Sequence, residues 1–214
     1  MMSREGARGK EWDAWSAGNP PSHEVTLPFT RLLAGPMDFT PGTFDILYEN
    51  TRNSPRRKLW NCGPEVDMRV NTTLAKQIAE WVIIYSPVQM ASDLIENYEG
   101  HPAFRFFRDF DADCDWSKAL QGEIGDYIVV ARRAKDRYFL GAGTDEKART
   151  LVQKLDFLEP GVTYTATIYA DAPDAGRNPE AYLIGKRAVT ARDTIRIEMA
   201  ERGGQAITFI PAEK

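Results

Sequence analysis

The sequence contains very little cysteine and histidine. Its 214 residues include two cysteines, Cys62 and Cys114, and two histidines. Two cysteines so far apart do not make the disulfide framework of a small secreted domain, and these counts argue against a zinc site. The fold must therefore be held by its hydrophobic core, for which an apolar content of 43% is sufficient.

The sequence also lacks an excess of positive charge and a long apolar run. The formal net charge is -4 and the pI is about 5.4, so neither nucleic acid nor an anionic membrane surface is expected as a partner. The longest strongly apolar stretch, EWVIIYSPVQM, is too short to span a bilayer. The opening residues MMSREGARGK lack the apolar segment of a secretion signal, so none is expected in the sequence as given.

One long helix is predicted in the first half of the sequence. Apolar residues recur at helical spacing over residues 74–85. Asn71 or Thr72 can cap the start of this helix, and Pro87 should end it.

The remainder of the first half is predicted to be strand-like or irregular. Residues 24–35, EVTLPFTRLLAG, have the apolar character of a buried strand, although Pro28 argues against a regular one. Residues 50–69 are polar and interrupted by proline, which predicts a long surface excursion.

The second half reads as a series of short strands. Six runs rich in β-branched and aromatic residues are separated by glycine, proline and aspartate turns. In DTIRIEM, residues 195, 197 and 199 face one way and the polar residues between them face the other. This pattern predicts an antiparallel β-sandwich that begins near residues 104–113.

The segment SREGARGKEW carries the strongest candidate for chemistry. Glu5 and Glu11 flank Gly6 and Gly9, so a loop could aim both carboxylates at one point. Such a pair can share acid–base work at a glycosidic bond or bind a hard cation such as calcium. On spacing alone, a solvated and salt-bridged surface loop is the simpler interpretation. His23 could likewise contact a substrate hydroxyl or serve as a hydrogen-bonded structural residue.

Five blocks of sequence, in order across nearly the whole chain, resemble glycoside hydrolase family 97. They are REGARGKEW, HEVTLPFTRLLAGPMDFTPGTF, TTLAKQIAEWVIIYSPVQMASDLIENYEGHPAF, GEIGDYIVVARR, and YTATIYADAPDA followed by NPEAY. Five ordered blocks are far more specific than any one of them alone.

The resemblance implies a fold in two parts. Family members carry an N-terminal β-sandwich, a central (β/α)8 barrel and a C-terminal β-sandwich, and this sequence matches only the last part of the barrel and the sandwich after it. We therefore expect residues 1–105 to be an α/β remnant of the catalytic barrel and residues 106–214 to be an antiparallel β-sandwich. A chain with one or two barrel strands would leave sheet edges unpaired and one face of its long helix bare.

The resemblance also assigns roles to the opening loop. Glu5 matches a calcium ligand of the family, and Glu11 matches the general acid, which also contacts the calcium. His23 matches a family histidine and is carried over only as a substrate-contacting candidate. The remaining calcium ligands and the base or nucleophile of the family have no counterpart in this sequence.

These matches imply a calcium-dependent, exo-acting α-glycosidase, either an α-glucosidase or an α-galactosidase. The substrate would be an α-linked oligosaccharide or α-glycoside, and the family location would be periplasmic or extracellular. The isolated chain is expected to be inactive, with a second copy or a complementing barrel fragment covering its exposed surfaces. The alternative is a non-catalytic β-sandwich that supports a carbohydrate-active protein.

Overall fold

The computed structural model describes residues 5–14, 16–47 and 70–212. Within these ranges the chain forms three layers: short helices from the first half, a six-stranded antiparallel sheet, and a two-stranded antiparallel sheet. The predicted surface excursion and Cys62 lie outside the described residues, whereas Cys114 is a free, partly buried thiol.

The first layer is helical. Its α-helices are α1 (Pro21–Thr26), α2 (Leu74–Ile83), α3 (Ile95–Tyr98) and α4 (Arg105–Asp109), and its short 3-10 segments are Lys10–Ala14, Leu27–Phe29, Arg31–Ala34 and Pro102–Phe104. In the described part of the chain, no helix has the length and apolar character needed to cross a membrane.

Helix α2 confirms the predicted long helix. Its cap is Thr73 rather than Asn71 or Thr72, because the Thr73 side chain accepts a hydrogen bond from the backbone N–H of Lys76 at 3.2 Å. The expectation that one face of the helix would be bare is wrong, since all ten of its residues are buried. One side lies on the six-stranded sheet, and the other is covered in part by α4, where the Trp81 and Phe107 rings stack at 4.0 Å.

The prediction of a strand over residues 24–35 is wrong. The segment forms the end of α1 and two 3-10 turns instead. Pro21 begins α1 and Pro28 lies inside the next turn, where the φ that proline fixes suits a helical turn better than a strand. Apolar continuity was therefore a sign of burial and not of strand geometry, since Val25 and Leu27 are both buried.

The second half is antiparallel β-structure, as predicted. The strands are β1 (Trp116–Glu123), β2 (Tyr127–Ala134), β3 (Arg137–Thr144), β4 (Arg149–Lys154), β5 (Tyr164–Asp171), β6 (Tyr182–Val189), β7 (Thr194–Met199) and β8 (Gly204–Pro211). The six-stranded sheet has the order β1-β2-β3-β8-β5-β6, and β4 pairs with β7 in the second sheet. Strands β1 and β6 were not among the predicted runs.

The two sheets enclose a hydrophobic core. In β7 the alternation predicted from the sequence is confirmed, because Ile195, Ile197 and Met199 are buried and the residues between them are exposed. These side chains pack with apolar residues from the facing side of the larger sheet, including Leu140 and Ile207. The arrangement is that of a sandwich with one large and one small sheet.

The other face of the larger sheet receives the helical layer. Helix α2 crosses β3 and β8 at two glycines, Gly141 and Gly204. A Cβ atom at Gly141 would lie 2.5 Å from the carbonyl oxygen of Ala79, and one at Gly204 would lie 2.6 Å from the Cα of Lys76. The absence of a side chain at these positions lets the helix backbone approach the sheet closely.

Before residue 116, the described residues contain only an isolated bridge at Met37 and no longer strand. Two backbone hydrogen bonds join separate stretches of the chain there. Lys10 N–H donates to the Phe39 carbonyl at 2.9 Å, and Met37 N–H donates to the Tyr85 carbonyl at 3.0 Å. These contacts bring three stretches of the first half side by side.

Candidate functional site

The loop that carries Glu5 and Glu11 is shaped by a glycine and an arginine. Gly6 has a φ of +77°, which residues with a Cβ atom rarely adopt, and a Cβ there would lie 2.7 Å from Arg31 Nε. Arg31 Nε donates a hydrogen bond to the Glu5 carbonyl oxygen. The loop backbone is therefore held against the 3-10 turn that contains Arg31.

The Glu11 side chain is exposed and folds back on its own loop. Its Oε1 accepts a hydrogen bond from the Gly9 N–H at 3.1 Å, and the Gly9 carbonyl accepts one from Asn19 Nδ2 at 2.9 Å. Beside it the Arg8 guanidinium lies 4.7 Å from the centre of the Trp12 ring. Both predicted carboxylates, Glu5 and Glu11, are thus solvent-accessible and belong to one anchored loop.

His23 has a structural contact with the same loop. Its Nε2 donates to the Arg8 carbonyl oxygen at 2.9 Å. This bond links α1 to the loop at Arg8, the residue before Gly9. The ring is partly exposed, so a substrate contact through its other nitrogen stays a prediction.

A buried cluster of charged side chains lies beneath the loop, and sequence analysis did not find it. Lys10 Nζ lies 3.0 Å from Asp13 Oδ2, 3.2 Å from Glu24 Oε1 and 4.0 Å from Glu80 Oε2. Burial opposes the charge on Lys10, but the three carboxylates outweigh it and raise the pKa of the amine. The residue before Glu11 is thereby fixed inside the protein.

The second lysine of the cluster comes from α2. Lys76 Nζ lies 2.8 Å from Glu24 Oε2 and also donates to the carbonyl oxygens of Pro21 and Thr144, at 3.1 and 3.0 Å. These three contacts tie α1, α2 and the end of β3 together. Lys76 and Glu80 stand four residues apart in a helix whose other residues, apart from Gln77, are apolar, and this spacing is the sequence signal that could have revealed the cluster.

Glu80 completes the cluster with a carboxyl group whose pKa is raised. Burial raises its pKa well above the usual value, and the neighbouring Glu24 carboxylate raises it further. Its Oε2 accepts a hydrogen bond from Gln77 Nε2 at 3.1 Å, and its carboxyl group also forms a hydrogen bond with the Glu24 carboxyl group. Lys10 and Lys76 therefore face three buried carboxyl groups, those of Asp13, Glu24 and Glu80.

The carboxylates on the loop match calcium in chemistry but not in number. Calcium takes about six to eight oxygen ligands, and Glu5 and Glu11 supply two carboxylates. Nowhere in the ranges that the structure describes do three or more histidine, cysteine, aspartate or glutamate residues group as a metal site would require. These residues do not form a complete calcium site by themselves.

Comparison with known proteins places the β-rich part in a defined family. The sequence model described as "Glycosyl-hydrolase 97 C-terminal, oligomerisation" matches residues 113–210. A retaining alpha-galactosidase of Bacteroides thetaiotaomicron is 30% identical over 210 residues, which are 97% of this chain and 30% of the relative. A probable retaining alpha-galactosidase of Streptomyces bingchenggensis is also 30% identical, over 96% of this chain and 28% of the relative.

Solved structures extend the match across the helical layer. A glycoside hydrolase family 97 enzyme from Pseudoalteromonas sp. strain K8, in complex with acarbose, superposes with a TM-score of 0.88 and 45% identity, over 99% of this chain and 32% of that one. A complex from the same strain with panose gives the same values. A beta-arabinopyranosidase with a TM-score of 0.68 and 21% identity shares the fold.

The chain spans about a third of the length of these relatives. Its similarity is nonetheless continuous from the loop of Glu5 and Glu11 to β8, and it includes both the helical layer and the sheets. The chain belongs to glycoside hydrolase family 97, and the part of the family to which it corresponds is the C-terminal portion.

Proposed function

We propose that this chain forms the C-terminal part of an exo-acting, calcium-dependent α-glycosidase in which Glu11 is the general acid. The observation that carries the proposal is an exposed carboxylate on an anchored loop, in a chain 45% identical over 99% of its length to a family 97 enzyme. The ordered contacts around the loop support a role beyond that of a solvated surface segment.

We propose further that residues 1–105 are the end of a (β/α)8 barrel and residues 106–214 the following β-sandwich. The hydrogen bonds from Lys10 to Phe39 and from Met37 to Tyr85 support this division, since they join three separate stretches of the chain through their backbones, as neighbouring barrel strands are joined. Barrel enzymes place their active sites at the C-terminal ends of the strands. Glu11 directly follows the first of the three segments.

In the proposed reaction the Glu11 carboxyl donates its proton to the departing glycosidic oxygen. Water or a carboxylate from outside this chain attacks the anomeric carbon. Glu5 and Glu11 would supply two ligands to a calcium ion whose site is completed elsewhere. When bound, calcium would orient sugar hydroxyls and offset negative charge near the leaving oxygen.

The substrate class is an α-glucoside or an α-galactoside. The two curated relatives are named as retaining alpha-galactosidases, whereas the more similar Pseudoalteromonas enzyme was solved with acarbose and panose. The higher identity of the latter favours an α-glucoside. His23 is a further candidate for contact with the sugar.

A chimera tests the role of Glu11. The C-terminal third of the Pseudoalteromonas enzyme is replaced by this chain, and turnover of panose and of nitrophenyl α-glucoside and α-galactoside is measured. Glu11→Gln should lower panose hydrolysis by about 10²–10⁴-fold, the usual contribution of general acid catalysis. The loss should be much smaller for the nitrophenyl substrates, because their leaving group needs little protonation.

The control for this experiment is Glu159→Gln, which changes an exposed glutamate in the turn between β4 and β5. It should leave all rates unchanged. Equal losses on panose and nitrophenyl substrates in Glu11→Gln, or no loss at all, would remove Glu11 from the acid role. A fall in turnover on addition of a chelator, reversed by calcium, would support the metal.

We propose that the chain alone is not a glycosidase. Two carboxylates and three short stretches joined by backbone hydrogen bonds leave most of a barrel site to be supplied from elsewhere. The measurement is hydrolysis of the nitrophenyl α-glycosides by the purified chain, with calcium and then with chelator. Chelator-sensitive turnover would overturn this statement and show that the chain assembles a working site.

The second candidate function is assembly. The family description of residues 113–210 names oligomerisation, and β6 forms one edge of the six-stranded sheet with most of its residues exposed. We propose that copies of this chain pair through β6. This role needs no catalytic residue, so it stands even if the assignment of Glu11 fails.

A further inference from the structure

A cleft separates the helical layer from the outer strands of the six-stranded sheet. It has a volume of about 290 Å³ and opens between the 3-10 turns after α1 and strands β1 and β2. Its walls are mainly apolar and include Phe29, Leu32 and Ile128. The polar side chains that line it are those of Arg132 and Ser117, together with the ring of Tyr85.

Arg132 is a buried cation in this cleft. It is 7% exposed, and its Nε donates to the Val82 carbonyl oxygen at 2.6 Å. Its Nη1 donates to Ser117 Oγ at 2.8 Å, and the guanidinium lies 4.8 Å from the centre of the Tyr85 ring. Among the described residues, no carboxylate forms an ion pair with it.

These neutral contacts leave the charge of Arg132 only partly offset. The Val82 carbonyl belongs to the last turn of α2, where the helix carries about half a negative charge. Burial lowers the pKa of the guanidinium to about 10, and no nearby carboxylate raises it. Within the described structure Nη2 has no hydrogen-bond partner, yet it is not among the fully enclosed unpaired polar atoms, so solvent can reach it.

We propose that this cleft binds a small organic carboxylate with an apolar body, with the carboxylate on Arg132. A guanidinium presents paired N–H donors that match the two oxygens of a carboxylate, and Nη2 is free to contribute. Phe29, Leu32 and Ile128 would cover the hydrocarbon part of the ligand. The volume lies at the small end of ligand pockets, which suits a carboxylate with an apolar body of about one six-membered ring.

A single negative charge fits the site better than a dianion. One carboxylate would neutralise Arg132, whereas a phosphate dianion would leave a second charge against apolar walls. A neutral sugar would gain nothing from the guanidinium charge. The inference uses neither Glu5 nor Glu11 and is independent of the proposed glycosidase.

The test compares benzoate with benzamide on the unsubstituted chain. The two molecules have nearly the same shape, but only benzoate carries a charge. Titration followed by NMR or calorimetry should give a dissociation constant for benzoate at least tenfold lower than for benzamide. Equal affinities, or no binding of benzoate at millimolar concentration, would overturn the proposal without any variant.

Two substitutions locate the interaction. Arg132→Met should abolish the preference for benzoate, whereas Arg133→Met should keep it, because Arg133 is 41% exposed at its side chain and pairs with Asp115. If Arg132→Met does not fold, Arg132→Lys keeps the charge but not the paired donors and should reduce the preference at least threefold. A full preference retained in either Arg132 variant would place the carboxylate elsewhere and refute the assignment.

Discussion

Lys76 and Glu24 form an ion pair inside the helical layer. Lys76 Nζ lies 2.8 Å from Glu24 Oε2, and the two side chains are 0% and 1% exposed. The lysine reaches Glu24 from α2 and also binds the last carbonyl of β3, at Thr144. One side chain thus joins the part of the chain that carries Glu11 to the sheet of the β-rich part.

Removing one partner of this pair should destabilise the protein strongly. Lys76→Met leaves the buried Glu24 carboxylate with Lys10 as its one remaining cationic partner among the described residues. We expect a loss of about 3–5 kcal/mol in the free energy of unfolding. Urea denaturation measures the change. Glu198→Gln, which breaks an exposed pair with Arg196, should cost less than about 1 kcal/mol. Similar losses in the two variants would show that the buried pair contributes no more than a surface pair.

The raised pKa of Glu80 should make stability depend on pH. The pKa of Glu80 is raised in the folded protein by burial and by Glu24, above an unfolded value of about 4.3. Its contribution to stability is therefore complete below about pH 4.3 and is lost as the pH rises towards the folded pKa. Glu80→Gln cannot lose a proton, so its stability relative to the parent should increase with pH.

The measurement is urea denaturation of the parent and of Glu80→Gln at pH 5 and at pH 8. Glu24 provides an internal contrast, because its pKa is lowered by Lys10 and Lys76 in spite of burial. Its contribution is present above the unfolded pKa and is lost on acidification. A difference between parent and Glu80→Gln that does not change with pH would mean that Glu80 is ionised in the folded state.

The contact of α2 with the sheet should not tolerate a methyl group at Gly141. A Cβ there would lie 2.5 Å from the Ala79 carbonyl oxygen and 2.8 Å from Val82 Cβ. Gly141→Ala should lower the free energy of unfolding by about 1–3 kcal/mol or more, because the helix must move away from the sheet. Thermal or urea denaturation measures the loss.

Gly185 provides the matched control for this substitution. It also lies in a strand, β6, but no atom lies within 4 Å of a Cβ built there. Gly185→Ala should be neutral or slightly stabilising, since alanine loses less backbone entropy than glycine on folding. Equal destabilisation by the two substitutions would argue that close approach of the helix is not the cause.

If copies of the chain pair through β6, the mass of the particle in solution should depend on the side chains of this strand. Ile184 is 41% exposed on this strand, and Val152 is 65% exposed on β4 of the smaller sheet. Lysine at a strand edge opposes edge-to-edge pairing. Ile184→Lys should therefore shift the chain from oligomer to monomer in light scattering, whereas Val152→Lys should not. A parent chain that is monomeric at high concentration would refute the pairing.

Local patterns were enough to predict most of the regular structure. Helix α2 and strand β7 follow directly from the spacing of their apolar residues. Strand β1 was missed because its sequence, WSKALQGE, has little strand preference and is held by pairing with β2. Strand β6 was missed because its exposed edge position requires no apolar alternation.

The charged cluster as a whole could not be predicted from spacing, which relates only Lys76 and Glu80 to each other. Its members stand at positions 10, 13, 24, 76 and 80, and tertiary packing alone brings them together. Glu5 and Glu11 were found because glycines surround them, and Arg132 was missed because a single arginine in a strand carries no sign of its burial. The burial of charged side chains is thus the feature that was hardest to predict from this sequence.

The central position of β8 governs the order in which this protein can fold. Strands β1 to β3 form one side of the larger sheet and β5 to β6 the other, and β8 alone bonds to both sides. Residues 204–211 come later in the sequence than the seven other described strands. During synthesis, β3 and β5 therefore wait with unpaired edges until the ribosome has released Pro211. This protein is most open to misassociation with neighbouring nascent chains in that interval, and an interruption of translation before Gly204 would leave two half-sheets that cannot join.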